Sequence, residues 1–233
     1  SPSCRLFVDF DGLDRPDRDL GPAMLSIAVV SPDGPIALES VRAAVVASLD
    51  DSRMWWTSGT GPALSEGGKL RVSGTRDLER ALVSVDGELP ASGASPGTTR
   101  PLGRASAGLC MVADGGLDAY MGRWGEDPVA LLAAITIADR AGVYLSLEPG
   151  RGVSGPDRIV AAATLPLARQ LVASSWEGTY AGSSWCRGRP RVGDEIAWRA
   201  PTKAQPARSS TPPSSHQHLW MGVTPKVCVQ SMG

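Results

Sequence analysis

The sequence predicts an α/β fold, an α+β layered sandwich with covered sheets. Short β-branched runs bounded by turn residues mix along the chain with helical segments. One of those helices carries both a start and a stop signal. The 233 residues are 42% hydrophobic, ample apolar material for one large buried core. No internal repeat interrupts this reading.

The elements follow in order. Arg5–Phe10 and Met24–Val30 are apolar, β-branched-rich runs closed by acids or turn residues, and both predict strands. Met54–Thr57 and Leu70–Val72 predict shorter strands, with Trp55-Trp56 as strand packing. Asp77–Val83 and Ala105–Ala113 have helical composition, and Leu117–Met121 returns to strand. Pro128–Ala141 is the best-bounded helix: Asp127 suits the N-cap, Pro128 the first helical position and Gly142 the residue past the end. Val143–Leu147 and Ile159–Ala162 predict strands, and Leu165–Ala173 a closing helix.

Composition excludes several classes. Formal net charge is −1, from 23 Lys+Arg and 24 Asp+Glu, which argues against a nucleic-acid binder held by bulk charge. No apolar run approaches the roughly 18 residues of a membrane span, and the start Ser1-Pro2-Ser3-Cys4-Arg5 is not followed by the apolar stretch of a signal peptide. Cys4, Cys110, Cys186 and Cys228 form no CxxC pair, so neither a zinc knuckle nor a disulfide framework is expected and a reduced cytoplasmic setting is the default. The chain lacks Asn, and Lys occurs only at 69, 203 and 226, a bias that fits a GC-rich, bacterial genome.

The near-zero charge is a sum of two unlike parts. Residues 176–233 are net +4 and the remainder net −5. From Cys186 onward Pro, Ser and Arg dominate and hydrophobic periodicity ends, so this tail is expected to be disordered. His216 and His218 fall inside it without acidic or Cys neighbours, a poor metal site. The domain reading is therefore 1–175 as folded domain and 176–233 as tail.

Two constellations carry chemistry. The first is Leu6-Phe7-Val8-Asp9-Phe10-Asp11-Gly12-Leu13-Asp14, where three carboxylates follow a hydrophobic strand. Acids at such a strand end can share a hard divalent cation through oxygen ligands, although an acidic turn by itself is more often a solvated surface. The second is Leu102-Gly103-Arg104-Ala105-Ser106-Ala107-Gly108-Leu109-Cys110-Met111-Val112-Ala113-Asp114-Gly115-Gly116-Leu117-Asp118-Ala119-Tyr120. It resembles, without a gap, a signature stretch of the inositol monophosphatase family. Val8-Asp9-Phe10-Asp11-Gly12 is similar to that family's Asp-Pro-Ile-Asp-Gly-Thr motif, and Gly59 through Ser73 to its glycine-rich hairpin. Ala141-Gly142 and Pro156–Ala162 match later segments, so the resemblance spans most of residues 5–173 in order.

The resemblance implies the αβαβα layering of that family and a Mg²⁺-dependent phosphomonoesterase acting on a small polyol, cyclitol or sugar phosphate, in a bacterial pathway. By position it makes Asp9 and Asp11 metal ligands, with Asp11 and Asp14 as the alternative register. It sets Phe10 beside a ligating carbonyl, and brings backbone groups of Gly103 and Ala105 to the substrate. Asp127 stands near the family's late Trp-Asp, either as a metal ligand or as a helix cap. The expected partner is a small-molecule phosphate monoester, with a homodimer left open and neither nucleic acid nor membrane expected.

Departures from the family pattern define the competing reading, a degenerate relative acting as a binding or regulatory scaffold. Only Phe10 separates the two aspartates, where the family has two residues. The Thr that positions water is Leu13, which has no hydrogen-bonding group. A substrate-binding Glu corresponds to Gly122. The family's Gly-Glu-Glu segment precedes the aspartate motif, so the fold is expected without its N-terminal part, and the stretch from Val83 to Leu102 is short for the helix and strand usually found there.

Overall fold

The computed structural model describes residues 4–11, 22–33, 37–86, 95–123, 131–148 and 158–175. Residues 12–21, 124–130 and the 176–233 tail lie outside that description, and with them Leu13, Asp14 and Asp127.

Six strands form one antiparallel sheet in chain order: β1 (Arg5–Asp11), β2 (Met24–Val30), β3 (Val41–Ser48), β4 (Met54–Ser58), β5 (Leu64–Ser65) and β6 (Gly68–Lys69). A second sheet of five strands is mixed. It contains β7 (Leu82–Val85), β8 (Thr98–Thr99), β9 (Ala119–Arg123), β10 (Tyr144–Glu148) and β11 (Arg158–Ala162). Its order is β10-β11-β9-β7-β8, with β7 parallel to β8 and β9 and the other pairs antiparallel. The helices are α1 (Ala105–Ala113), α2 (Leu132–Ala141) and α3 (Leu165–Ser175).

The layering follows from which surfaces are apolar. Helix α1, Ala-Ser-Ala-Gly-Leu-Cys-Met-Val-Ala, carries no charge and is buried from Ser106 to Ala113. A helix apolar all round must be enclosed on all sides. It is: α1 and α2 share one core cluster with Met24, Ala28 and Val30 of β2, Val46 of β3, Tyr120 of β9, Leu145 of β10 and Ile159 of β11. The helix pair therefore lies between the two sheets. Helix α3 covers the far face of the five-stranded sheet, where Leu167, Ala168 and Leu171 meet Val83, Val160 and Ala162. Sheet, helix pair, sheet and helix make four layers among the described residues, the βαβα portion of the expected αβαβα order.

Several sequence expectations change. Asp77–Val83 is not a helix; a single 3₁₀ turn at Leu78–Arg80 leads into β7, whose pairing with β9 overrides the helical composition. Leu70–Val72 joins no ladder, although Leu70 is buried and its N–H bonds the Ala63 carbonyl. Strand β3 had no sequence prediction, because Ala43, Ala44 and Ala47 dilute its β-branched signal. Helix α2 begins at Leu132 with Leu131 at its N-cap, later than Pro128, and ends on Gly142 at φ 88° as expected. Trp55, 2% exposed, packs in the core as the strand reading required. No helix among the described residues is long and apolar enough to cross a membrane.

Candidate active site

The end of β1 places the first candidates. Its register sets Phe7 opposite Ala28, Asp9 opposite Ser26 and Asp11 opposite Met24. Directly opposed residues of an antiparallel pair share a face, so Asp9 belongs to the row that includes buried Met24, Ser26, Ala28 and Val30 and is covered by the helix layer. Asp9 is half-buried, and Phe7, two residues earlier on that face, packs against the core cluster that Ala105 also borders. Phe10 alternates to the other face and is 45% exposed. Ser26 is 2% exposed, and its hydroxyl makes no hydrogen bond. That is an unusual group to bury inside an apolar row.

Gly103 and Ala105 sit on a second, separately built feature. Gly103 turns the chain at φ 64° and its N–H donates to Asp86 Oδ1 at 2.6 Å. The Tyr120 hydroxyl donates to the other oxygen, Asp86 Oδ2, at 2.9 Å. Asp86 thus anchors the approach to α1, and the Gly103 N–H is committed to it; toward a ligand Gly103 offers at most its carbonyl. Ala105 opens α1 behind Arg104, whose side chain makes no cap bond and is 5% exposed. The first-turn N–H groups of a helix lack intrahelical acceptors, and the positive end of the helix dipole lies there, which suits an anion.

Neither Asp86 nor Ser26 was singled out by the sequence reading. Asp86 follows the apolar run Leu82–Val85 and precedes a glycine, the same arrangement as Asp11-Gly12, so the signal was present. Ser26 carries no sequence signal, because its burial opposite Asp9 exists only through the register. Asp118 belongs to the framework: it accepts hydrogen bonds from the Ser73 hydroxyl and from the Leu82 N–H, the latter at 2.7 Å.

Gly122, the position to which the resemblance would assign a substrate-binding Glu, has no room for a side chain. A Cβ added at Gly122 would overlap the Tyr120 hydroxyl and ring, and one added at Gly108 would overlap the opposite ring edge. Tyr120, fully buried and held by Asp86, fills both spaces, so glycine is required at 108 and 122. Cys110 is inert as a nucleophile, because complete burial pushes its thiol well above the usual range.

The residues fit a hard divalent cation in kind. Among the described residues no group of three or more His, Cys, Asp or Glu converges on one point. Mg²⁺ nevertheless asks for only one or two protein carboxylates, its other oxygens coming from water and phosphate. The Asp9 end of β1, with an orphaned buried hydroxyl opposite it, meets that minimum.

Solved structures share this architecture. SuhB of Mycobacterium tuberculosis is 26% identical, with 72% of this chain and 70% of that one aligned at a TM-score of 0.55. Inositol monophosphatase II of Staphylococcus aureus MSSA476 is 17% identical over 73% and 66% of the two chains, with a TM-score of 0.57. A Pyrococcus horikoshii protein with similarities to inositol-1 monophosphatase is 19% identical over 74% and 70%, at 0.55. No family model and no curated protein sequence matches the chain. The extent of these alignments makes this the inositol monophosphatase fold, carried by a widely diverged sequence.

Proposed function

We infer that the chain is a Mg²⁺-dependent phosphatase for a small polyol, cyclitol or sugar phosphate. The observation that carries this reading is Asp9 at the end of β1, on the helix-covered face of an inositol monophosphatase fold. Asp9 and Asp11 would hold the metal, with Asp14 and Asp127 as further candidates. The ion would supply neutralising charge for phosphoryl oxygens and an acidified water. The protein's own part is positional. Asp86 fixes the turn at Gly103, the N-terminus of α1 favours the ester's negative charge, and the helix layer covers the row of β2 that faces Asp9.

A specific observation favours a second reading, a scaffold that binds and does not hydrolyse. Tyr120 occupies the space at Gly122 where a substrate-binding Glu would stand. The two readings separate in one assay of phosphate release from a panel of cyclitol and sugar phosphates with and without Mg²⁺. Metal-dependent release, lost in both Asp9→Asn and Asp11→Asn, supports the phosphatase. Release that survives both substitutions removes the assigned metal site, and no release from any ester supports the scaffold.

A further inference from the structure

We propose that Ser26 is a positioning residue for Asp9, its hydroxyl donating to the Asp9 carboxylate once a divalent cation is bound. This deepens the metal-dependent reading above and rests on it.

Ser26 is the register partner of Asp9, which puts their Cβ atoms roughly 5 Å apart on one face. Its neighbours in the inward row of β2 are Met24, Ala28 and Val30, all buried and all apolar. A hydroxyl in that row, 2% exposed and with no hydrogen-bond partner, destabilises the metal-free protein relative to a methyl of similar size. Alanine would pack in the same space, as Ala28 does one step along the row. The hydroxyl is therefore a burden to the fold taken alone. Metal-ligating carboxylates are characteristically held by a further hydrogen bond that fixes their orientation, and Ser26 is the hydroxyl that the β1–β2 register sets against Asp9. The short hydroxyl suits this role, because it can turn from an apolar wall toward a carboxylate by rotation about one bond.

This assignment makes two predictions of opposite sign, which a packing role cannot produce. Mn²⁺ binding to the full chain is measured by titration with electron paramagnetic resonance detection of free metal. The proteins are wild type, Ser26→Ala, Ser26→Thr and Asp9→Asn. Melting temperatures are taken in parallel in chelator. Ser26→Ala is expected to weaken Mn²⁺ binding about tenfold while melting no lower than wild type without metal. Ser26→Thr, which restores the hydroxyl, is expected to recover the affinity. Wild-type affinity in Ser26→Ala, equal weakening in Ser26→Thr, or a lower metal-free melting temperature for Ser26→Ala each overturns the proposal and leaves the metal site standing. Absence of binding in wild type, or unchanged binding in Asp9→Asn, overturns the metal reading itself and the proposal with it.

Discussion

In the five-stranded sheet, Asp118 takes hydrogen bonds from Ser73 and the Leu82 N–H, and Asp86 takes them from the Gly103 N–H and the Tyr120 hydroxyl. In the six-stranded sheet, the strand pair that carries Asp9 sets it against a Ser26 hydroxyl with no hydrogen bond at all. The first arrangement joins segments distant in sequence: Asp118 ties the 73 region and β7 to the entry of β9, and Asp86 ties the end of β7 to the turn before α1. In the second, the Ser26 hydroxyl ties no segment to another. Carboxylates that build a fold are saturated by the fold, whereas a ligand-binding site retains unspent polar capacity and costs stability. Ser84, buried on β7 with no hydrogen-bond partner for its hydroxyl, is the exception in that sheet among the described residues.

That contrast breaks most directly at Asp118. Asp118→Ala removes both acceptors and leaves the Leu82 N–H without its side-chain partner at the start of β7, so unfolding in urea should show a loss of about 3 kcal/mol. A loss below about 1 kcal/mol would mean that Asp118 is not a structural carboxylate, and the distinction between the sheets would fail.

A smaller effect is expected at Gly122. Alanine there collides with a Tyr120 ring that Asp86 holds on one side and α1 confines on the other. Overpacking of this kind typically costs about 2 kcal/mol, readable as a lower melting temperature. Tolerance of Gly122→Ala would show that Tyr120 can yield and that a side chain can be admitted at this position.

How much of this was readable beforehand depended on whether the signal was local. The limits of β2 and α1 could be read residue for residue, because a β-branched run and an uncharged helix declare themselves without help from elsewhere. Strand β7 hid behind Leu-Glu-Arg-Ala-Leu, a helical composition overruled by its parallel pairing with β9. Asp9 stands out in the sequence through the acidic cluster Asp9, Asp11 and Asp14, though its pairing within β1 does not. Ser26 does not stand out, since nothing in Met-Leu-Ser-Ile-Ala distinguishes a hydroxyl that faces a carboxylate from one that faces water. The roles of Gly108 and Gly122 likewise depend on the placement of one tyrosine ring, which no spacing rule in the sequence encodes.

The smallest effect sharpens the comparison through pH. Asp139 lies in the last turn of α2, on the helix layer that covers the six-stranded sheet. Burial raises its pKa above 3.8 and Glu39 adds to the rise, while Arg140 opposes it. The negative end of the helix also disfavours a carboxylate there. A carboxyl whose folded value is raised binds its proton more tightly in the folded state. Its contribution is fully present below the unfolded value and is lost as pH climbs through the folded one. Asp51 behaves oppositely: its hydrogen bond with Arg53 holds it below 3.8, so its contribution is present above the unfolded value and disappears as pH falls through the lowered one. Because Asp51 and Arg53 are exposed, their pair is worth less than about 0.5 kcal/mol. Asp139→Asn should therefore lessen the fall in urea midpoint as pH rises above the ordinary carboxylate range of about 4, while Asp51→Asn leaves that side of the profile unchanged. An unchanged slope in Asp139→Asn would show that this end of α2 is as well matched to its charge as the five-stranded sheet is to Asp118.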